Sequence, residues 1–304
     1  MGSVSITVII PCLNEEKTIA KVVQDFHTAL PEAELIVFDN GSTDQTARVA
    51  SEAGATVLVE KRRGKGFVVQ AMFQRVDTDI YVMVDGDDTY PVEKVRSLIE
   101  PVLKGDADMV IGSRIAEGKS EFRRINWLGN IFFQNIINAI FGTHLTDILS
   151  GYRCMNRKLI KSLPLFVKGF EIEAEITIKS LERGFRLAEV PVSLRSRMEG
   201  SYSKIRIWGD GLRILGTIFS LFRDYKPLTF FGSLGLTIVM LGLIPAAKLV
   251  LTPAQEWLTA QIPNVLISFS LILIGMLFIA VGLVLHTVNR RFQEMEHFMR
   301  LMEK

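Results

Sequence analysis

Two long apolar runs near the carboxyl end limit what this chain can fold into more than any other feature. Residues 227–247 carry no charged side chain, and residues 262–285 (IPNVLISFSLILIGMLFIAVGLVL) form a second run of the same kind. A helix needs about 20 apolar residues to cross the hydrocarbon core of a bilayer, and each run suffices. A hairpin buried in a soluble core is the competing reading, and two such runs so close together argue against it. The joining stretch, Thr252 to Gln261, has no Lys or Arg, whereas Arg206, Arg213, Arg223 and Lys226 precede the first run and Arg290, Arg291 and Arg300 follow the second. The positive-inside rule then expects an integral membrane protein with both ends cytoplasmic and the short loop outside. Lys248 is the exception, and its long stem lets the ammonium snorkel to the outer interface.

What precedes the runs reads as a soluble domain. The 304 residues allow one α/β domain of roughly 200 to 250 residues plus an appendage. A formal charge of +2 gives no case for nucleic acid as a partner. The two cysteines, Cys12 after a strand-like run and Cys154 in an expected loop, make neither a disulfide framework nor a zinc site and suit a reducing compartment. The amino end runs straight into a strand without the basic, apolar and small-residue segments of a signal peptide, so the first domain is expected in the cytosol.

Short β-branched runs at residues 4–11, Leu35–Phe38, Thr56–Val59, Ile80–Val84 and Met109–Ile111 alternate with helical spacing over 17–30, 44–53, 66–76 and 92–103. This alternation indicates a mostly parallel sheet with helices on both faces. Ligands of such sheets bind at the carboxyl ends of the strands. Four polar clusters fall there: Asn14-Glu15-Glu16, Asp39-Asn40-Gly41-Ser42, Asp85-Gly86-Asp87-Asp88 and Gly112-Ser113-Arg114. Residues 121–141, rich in Trp, Phe, Ile and Asn, suit either a core helix or the membrane interface. In 204–226, Trp208, Leu212, Leu215, Phe219 and Phe222 recur every three or four residues with Arg206, Arg213 and Arg223 off that stripe. A basic amphipathic helix beside a membrane span is expected to lie in the interface. The expected division is a catalytic domain over 1–203, an interfacial helix over 204–226, two spans over 227–286 and a short charged tail helix over 287–304.

The chemistry begins with Asp85-Gly86-Asp87-Asp88 after a buried strand. Crowded carboxylates repel, and a hard divalent cation, Mg²⁺ or Mn²⁺, relieves that strain while sharing its shell with substrate phosphates. Such a cation neutralises the charge that develops on a departing nucleoside diphosphate. Asp44 is explained as a cap for the following helix. Asp39 has no such local explanation and suits hydrogen bonds to a base or ribose. Gly64-Lys65-Gly66 lacks the Walker pattern, yet Lys65 stands at a helix start where a phosphate is within reach.

Val8-Ile9-Ile10-Pro11 with Asn14-Glu15, Asp39-Asn40-Gly41-Ser42-Thr43-Asp44, Asp85-Gly86-Asp87 and Gly112-Ser113-Arg114 together resemble the family 2 glycosyltransferases of GT-A fold. Asp147-Ile148-Leu149-Ser150-Gly151-Tyr152-Arg153 and Arg197-Met198-Glu199-Gly200-Ser201-Tyr202-Ser203-Lys204 narrow the likeness to the dolichyl-phosphate mannose synthase and polyprenyl-phosphate glucosyltransferase branch. The likeness covers about residues 4–226. It implies a Rossmann-like GT-A domain followed by a transmembrane helical hairpin. Pro11, Asn14, Glu15, Asp39, Lys65 and Asp85 would bind the nucleotide-sugar donor, and Asp85 and Asp87 would hold the metal. Arg114 and Arg153 would act with Asp87 in catalysis and bind phosphates of donor or acceptor, helped by Arg197 and Lys204. Thr89 stands where mannose synthases of this type often carry Gln, which leaves the third metal ligand open.

A phosphate monoester such as polyprenyl phosphate has its second pKa near 6, so it is a nucleophile at neutral pH and calls for no strong base. Direct displacement with inversion is the expected course. Glu171, Glu173 and Glu175 are the candidates if a base exists; Glu171 and Glu175 share a helix face while Glu173 points elsewhere, and a solvated acidic helix explains them equally well. A processive polysaccharide synthase would carry Gln-x-x-Arg-Trp, which this sequence lacks. A membrane-tethered nucleotide-sugar-binding protein without catalysis is the rival from another class. Gly232, Gly235, Gly242, Gly275 and Gly282 permit close approach of helices, either between copies in a homo-oligomer or within one chain.

Overall fold

The computed structural model describes residues 4–114, 124–196, 207–251 and 262–302. The chain forms two compact units, Met1–Ile218 and Phe219–Lys304.

The first unit is built on a seven-stranded sheet of order β3-β2-β1-β4-β6-β5-β7. Its strands are β1 (Ile6–Cys12), β2 (Glu34–Asp39), β3 (Thr56–Val59), β4 (Ile80–Met83), β5 (Met109–Ser113), β6 (Arg153–Asn156) and β7 (Leu187–Pro191). All neighbours pair in parallel except β6, which runs antiparallel between β4 and β5. The five expected strands are present, and the alternating fold class with its mostly parallel sheet holds. Sequence reading missed β6 and β7. Four-residue β6 was hidden inside a stretch that reads as a functional loop, so Cys154 lies buried in a strand and not in the expected loop.

Alternation along the strands divides the core between two faces. Val8, Ile10, Ile80, Val82 and Val110 meet α1 (Ile19–Ala29) and α4 (Val95–Leu103) through Val22, Phe26, Leu98 and Ile99. Ile9, Phe38, Tyr81, Met83 and Ile111 meet α3 (Lys65–Arg75), α6 (Arg157–Ser162) and α7 (Ile172–Glu182) through Val69, Met72, Leu159 and Ile176. α2 (Thr46–Glu52) packs beside α1. α5 (Arg124–Phe141) buries Phe133 and Ile137, which gives that segment a core face. α7 is buried along Ile172–Ser180, so the expectation of a solvated acidic helix is corrected.

α8 (Ile207–Tyr225) buries Ile214 and Ile218 and leaves Leu212 and Phe219 of the expected stripe exposed. Pro227 ends it and opens α9 (Pro227–Leu251), because proline lacks the amide that a continuing helix needs and suits a first helical position. α10 (Ile262–Met302) runs as one helix through the expected tail, without the break between span and tail helix. Pro227–Lys248 and Ile262–Met295 are long and apolar enough to cross a membrane, with mean hydropathies of 2.0 and 2.7. Leu236, Met240, Ile244, Leu266, Phe269 and Leu277 stand exposed on them, more apolar surface than water-facing helices present.

Gly235, Gly242, Gly275 and Gly282 each pack against the facing helix within the chain, whereas an added Cβ on Gly232 would meet only Leu228 of its own helix. A Cβ on Gly235 would lie 2.5 Å from Gly275 O, and one on Gly242 would lie 3.0 Å from the Leu271 and Ile272 side chains. One on Gly282 would meet Phe231 Cβ at 3.0 Å. The order of these contacts makes the pair antiparallel and assigns the small-residue stripe to intrachain packing. Gly275→Val is therefore expected to destabilise the hairpin by about 1–3 kcal/mol through overpacking, measured as reversible unfolding in mixed micelles. Gly216→Ala, where an added Cβ meets nothing within 4 Å, is the contrasting case, expected to raise stability by up to about 1 kcal/mol because alanine suits a helix interior better than glycine.

Candidate active site

The candidate site lies at the carboxyl ends of β1, β2, β4 and β5, and its loops are tied in series. After β1, Asn14 takes a left-handed backbone (φ 54°), and its Oδ1 accepts the Thr43 amide at 2.8 Å while its own amide donates to Ser42 Oγ at 2.9 Å. The Glu15 amide donates to Thr46 Oγ1 at 2.8 Å. Pro11 pairs with Phe38 one step below Cys12 and Asp39. Asp39 is buried, and its carboxylate accepts the amides of Gly41 and Ser42, each at 3.1 Å from Oδ2. The expectation that Asp39 lacks a local structural task is thus corrected: it closes its own turn. Asp44 accepts the Thr46 amide at 3.0 Å at the start of α2, as expected of a helix-start acceptor.

Asn40 connects this turn to the glycine loop. Its Nδ2 donates to Glu60 O and Arg62 O, and its Oδ1 accepts the Gly64 amide at 2.8 Å. Gly64 has φ 131°, and a Cβ there would overlap Lys168 O. Gly66 donates to the same carbonyl at 3.1 Å. Both glycines are therefore required by the close approach of the 167–168 backbone, and that approach aims Lys65.

Lys65 Nζ sits 2.6 Å from Asp85 Oδ1 and 2.6 Å from Glu173 Oε1. Burial works against its charge, but Asp85 and Glu173 outweigh it and raise the pKa. Glu173, expected to point elsewhere, is thus the member of the acidic helix that reaches the site. Glu175 instead accepts the Phe166 and Val167 amides and pairs with Lys179 in the interior, and Glu171 accepts the Gly169 amide. Neither is placed as a base.

The three carboxylates after β4 have separate tasks. Asp85 stands at the Lys65 pair, against Gly151, where an added Cβ would meet Asp85 Oδ2 at 2.6 Å. Asp87 Oδ1 accepts the Thr89 hydroxyl at 2.6 Å and the Thr89 amide at 3.2 Å. Thr89, in the position where Gln was the comparison, therefore orients Asp87. Asp88 takes a left-handed backbone (φ 56°) and pairs with Lys21 at 2.9 Å and Arg195 at 3.2 Å. Among the described residues no group of three or more His, Cys, Asp or Glu side chains is arranged to hold a metal. Two carboxylates from one turn fit a hard cation that completes its shell with phosphate oxygens and water, the usual habit of Mg²⁺.

Arg114 follows β5 and forms a bidentate pair with the buried Asp147, Nε to Oδ2 at 2.5 Å and Nη2 to Oδ1 at 2.8 Å. Burial opposes its charge, and Asp147 more than restores it. Glu189 in turn accepts the Thr146 and Asp147 amides at 2.9 Å. Arg153 differs. It is fully buried and donates to Ser150 O and Ile148 O, both at 2.8 Å, and to Thr177 Oγ1 at 2.9 Å. Burial pulls its guanidinium down to about 10, against the pull of Glu173 and Asp147, so it stays charged at neutral pH. Expected to bind phosphate, Arg153 instead staples the 147–151 turn from beneath, because β6 begins at the carboxyl ends of β4 and β5 with Arg153 opposite Met83 and Ile111. Tyr90 completes the turn, its hydroxyl accepting the Gly151 amide at 2.9 Å. Arg197 and Lys204 lie outside the described residues.

Sequence reading overlooked Asp147, Tyr90 and Gly151. For Asp147 and Gly151 the signal was available in the Asp147–Arg153 string, read there only for its arginine, whereas Tyr90 lies outside that string beside the acidic turn.

Residues 7–163 match glycosyl transferase family 2. A glycosyltransferase named AglJ from Haloferax volcanii is 32% identical over 266 residues, 87% of this chain and 86% of the relative. A dolichyl-phosphate hexose transferase from the same organism is 31% identical over 192 residues, 63% of this chain and 83% of the relative. Glucosyl-3-phosphoglycerate synthase from Mycobacterium tuberculosis, solved with Mn²⁺, uridine diphosphate and glucosyl-3-phosphoglycerate, superposes with a TM-score of 0.62 at 26% identity, covering 72% of this chain and 80% of that one. The chain belongs to glycosyl transferase family 2, and its first unit has the GT-A-like fold.

Arg153→Met removes donors from two buried carbonyls and is expected to cost about 2–4 kcal/mol of stability, read as a lowered thermal midpoint of the purified chain. A residue that only contacts phosphate would leave that midpoint in place.

Proposed function

We propose that this chain transfers a hexose from a nucleotide-sugar donor to polyprenyl phosphate, with inversion at the anomeric carbon and with Mg²⁺ or Mn²⁺ on Asp85 and Asp87. The observation that carries the reading is the convergence at the strand ends of two oriented carboxylates, a buried lysine and a carboxylate-clamped arginine. A nucleoside diphosphate leaving group calls for cationic stabilisation of its developing charge, and the metal would supply it as a Lewis acid. Lys65 provides a fixed positive charge beside Asp85. Asp147 holds the plane of Arg114 so that its donors are preorganised for a phosphate. Pro11 and Asp39, at the carboxyl ends of β1 and β2, and Asn14 and Glu15, in the turn after β1, would receive the nucleotide.

The acceptor assignment rests on different support. An acceptor that is itself a phosphate needs no general base, and neither Glu171 nor Glu175 is placed to act as one. The solved relative has a phosphorylated small molecule bound, and the dolichyl-phosphate hexose transferase is named for a lipid phosphate. The exposed apolar helices favour the lipid: they would confine the chain to the phase that holds such an acceptor, with both termini cytoplasmic. Arg197 and Lys204 are proposed to add charge for the lipid phosphate.

The test is transfer from radiolabelled UDP-glucose and GDP-mannose to polyprenyl phosphate in vesicles, with Mg²⁺, Mn²⁺ or chelator. Asp87→Asn is expected to lower turnover at least about 100-fold, the scale seen when one electrostatic stabiliser is lost. Turnover like that of the parent would refute the metal assignment. Equal transfer to a water-soluble phosphate would refute the lipid acceptor.

A further inference from the structure

The pair of contacts made by Lys65 carries more than a place in the donor pocket. Its ammonium touches two carboxylates at equal distance, and they differ sharply in surroundings. The Glu173 side chain is 4% exposed, whereas that of Asp85 is 28% exposed. Lys65 itself is held at its base by the glycine loop on the 167–168 backbone. Glu173 is near enough to Arg153 to favour its charge, and Thr177, one turn along α7, accepts from Arg153.

We infer that Glu173 is a positioning residue: it anchors the Lys65 ammonium, so that Asp85 can exchange this internal cation for the divalent ion when donor binds. The inference rests on the functional reading above. Before loading, the ammonium neutralises Asp85 and shields it from Asp87. Asp85, once released, would hold the divalent ion together with Asp87, and that ion would supply Lewis-acid stabilisation to the diphosphate. Glu173 keeps the displaced ammonium beside the diphosphate, where a cation is wanted, and prevents its return to Asp85. Glu173 touches neither sugar nor phosphate in this scheme and acts through Lys65. The buried carboxylate is the stronger anchor because less water competes for its partner.

The exchange predicts opposite signs for two substitutions. Lys65→Met frees Asp85, so Mn²⁺ binding to the purified chain without nucleotide should tighten at least about threefold, while UDP and GDP binding in the presence of Mn²⁺ weakens by at least about tenfold. Glu173→Gln keeps the volume but lets go of the ammonium, which then stays on Asp85, so Mn²⁺ binding without nucleotide should weaken at least about threefold. A threefold change corresponds to about 0.65 kcal/mol and a tenfold change to about 1.4 kcal/mol, within the range of couplings between contacting groups. Mn²⁺ affinity is read by electron paramagnetic resonance and nucleotide affinity by calorimetry, with thermal midpoints taken alongside. Should Glu173→Gln fail to fold, Lys65→Met alone decides, since unchanged or weaker Mn²⁺ binding there overturns the exchange. Lowered thermal midpoints with unchanged Mn²⁺ affinity in both variants would make the triad purely structural and overturn it as well. If the parent binds no Mn²⁺ with or without nucleotide, the metal reading itself falls and the inference with it. If Asp87→Asn abolishes Mn²⁺ binding while the other two variants match the parent, only the inference falls.

Discussion

The burial of one guanidinium underlies much of the site. Arg153 has no exposed surface, and its donors are spent on the carbonyls of Ile148 and Ser150 and on the Thr177 hydroxyl. A buried charge is tolerated only where its donors are matched, so the turn between Asp147 and Gly151 is held to one shape. That shape places Asp147 against Arg114 and presents Gly151, without a side chain, to the carboxylate of Asp85. The antiparallel course of β6 makes the arrangement possible. A strand running against its neighbours begins where they end, so a residue at its start is delivered to the ligand-binding edge of the sheet.

The charges at that edge are matched pair by pair. Lys65 meets Asp85 and Glu173, Arg114 meets Asp147, and Asp88 meets Lys21 and Arg195. The most buried of these pairs are preorganised, since they reorganise less than hydrated groups when charge shifts nearby. Asp88 shows how neighbours in sequence diverge. Its left-handed backbone turns it toward Lys21 and Arg195, while Asp87 is held by Thr89. The Arg195 amide also donates to Thr89 O at 2.8 Å, so the acidic turn is braced by the segment that follows β7.

The parallel core of the sheet was legible because β1 to β5 are apolar runs bounded by polar turns, a local property of the sequence. β6 and β7 were not, since β6 is four residues with a charged first member, and β7 sits at the sheet edge with half-buried side chains. The acidic turn and Arg114 could be read from residue type. The division of labour could not, because it depends on partners distant in sequence: Asp147 lies 33 residues from Arg114, and Lys65 meets Asp85 from 20 residues away. Helical spacing grouped Glu171 with Glu175, yet what decided their roles was the backbone of residues 166–169, whose amides both carboxylates accept. That is tertiary information.

The apolar helices show the same limit from the other side. Composition alone announced two spans, while the use of their glycines was ambiguous between partner chains and the chain itself. The close approach of Gly235 to Gly275 resolves it in favour of the hairpin. In a lipid phase apolar surface gains nothing by burial against apolar surface, so helices are held by contact and by the few polar links available. Ser268 supplies one, its hydroxyl donating to Gly242 O at 2.8 Å within the pair. With Gly235, Gly242, Gly275 and Gly282 turned toward the facing helix, the exposed faces keep bulky Leu, Ile and Phe side chains, a surface that could face acyl chains.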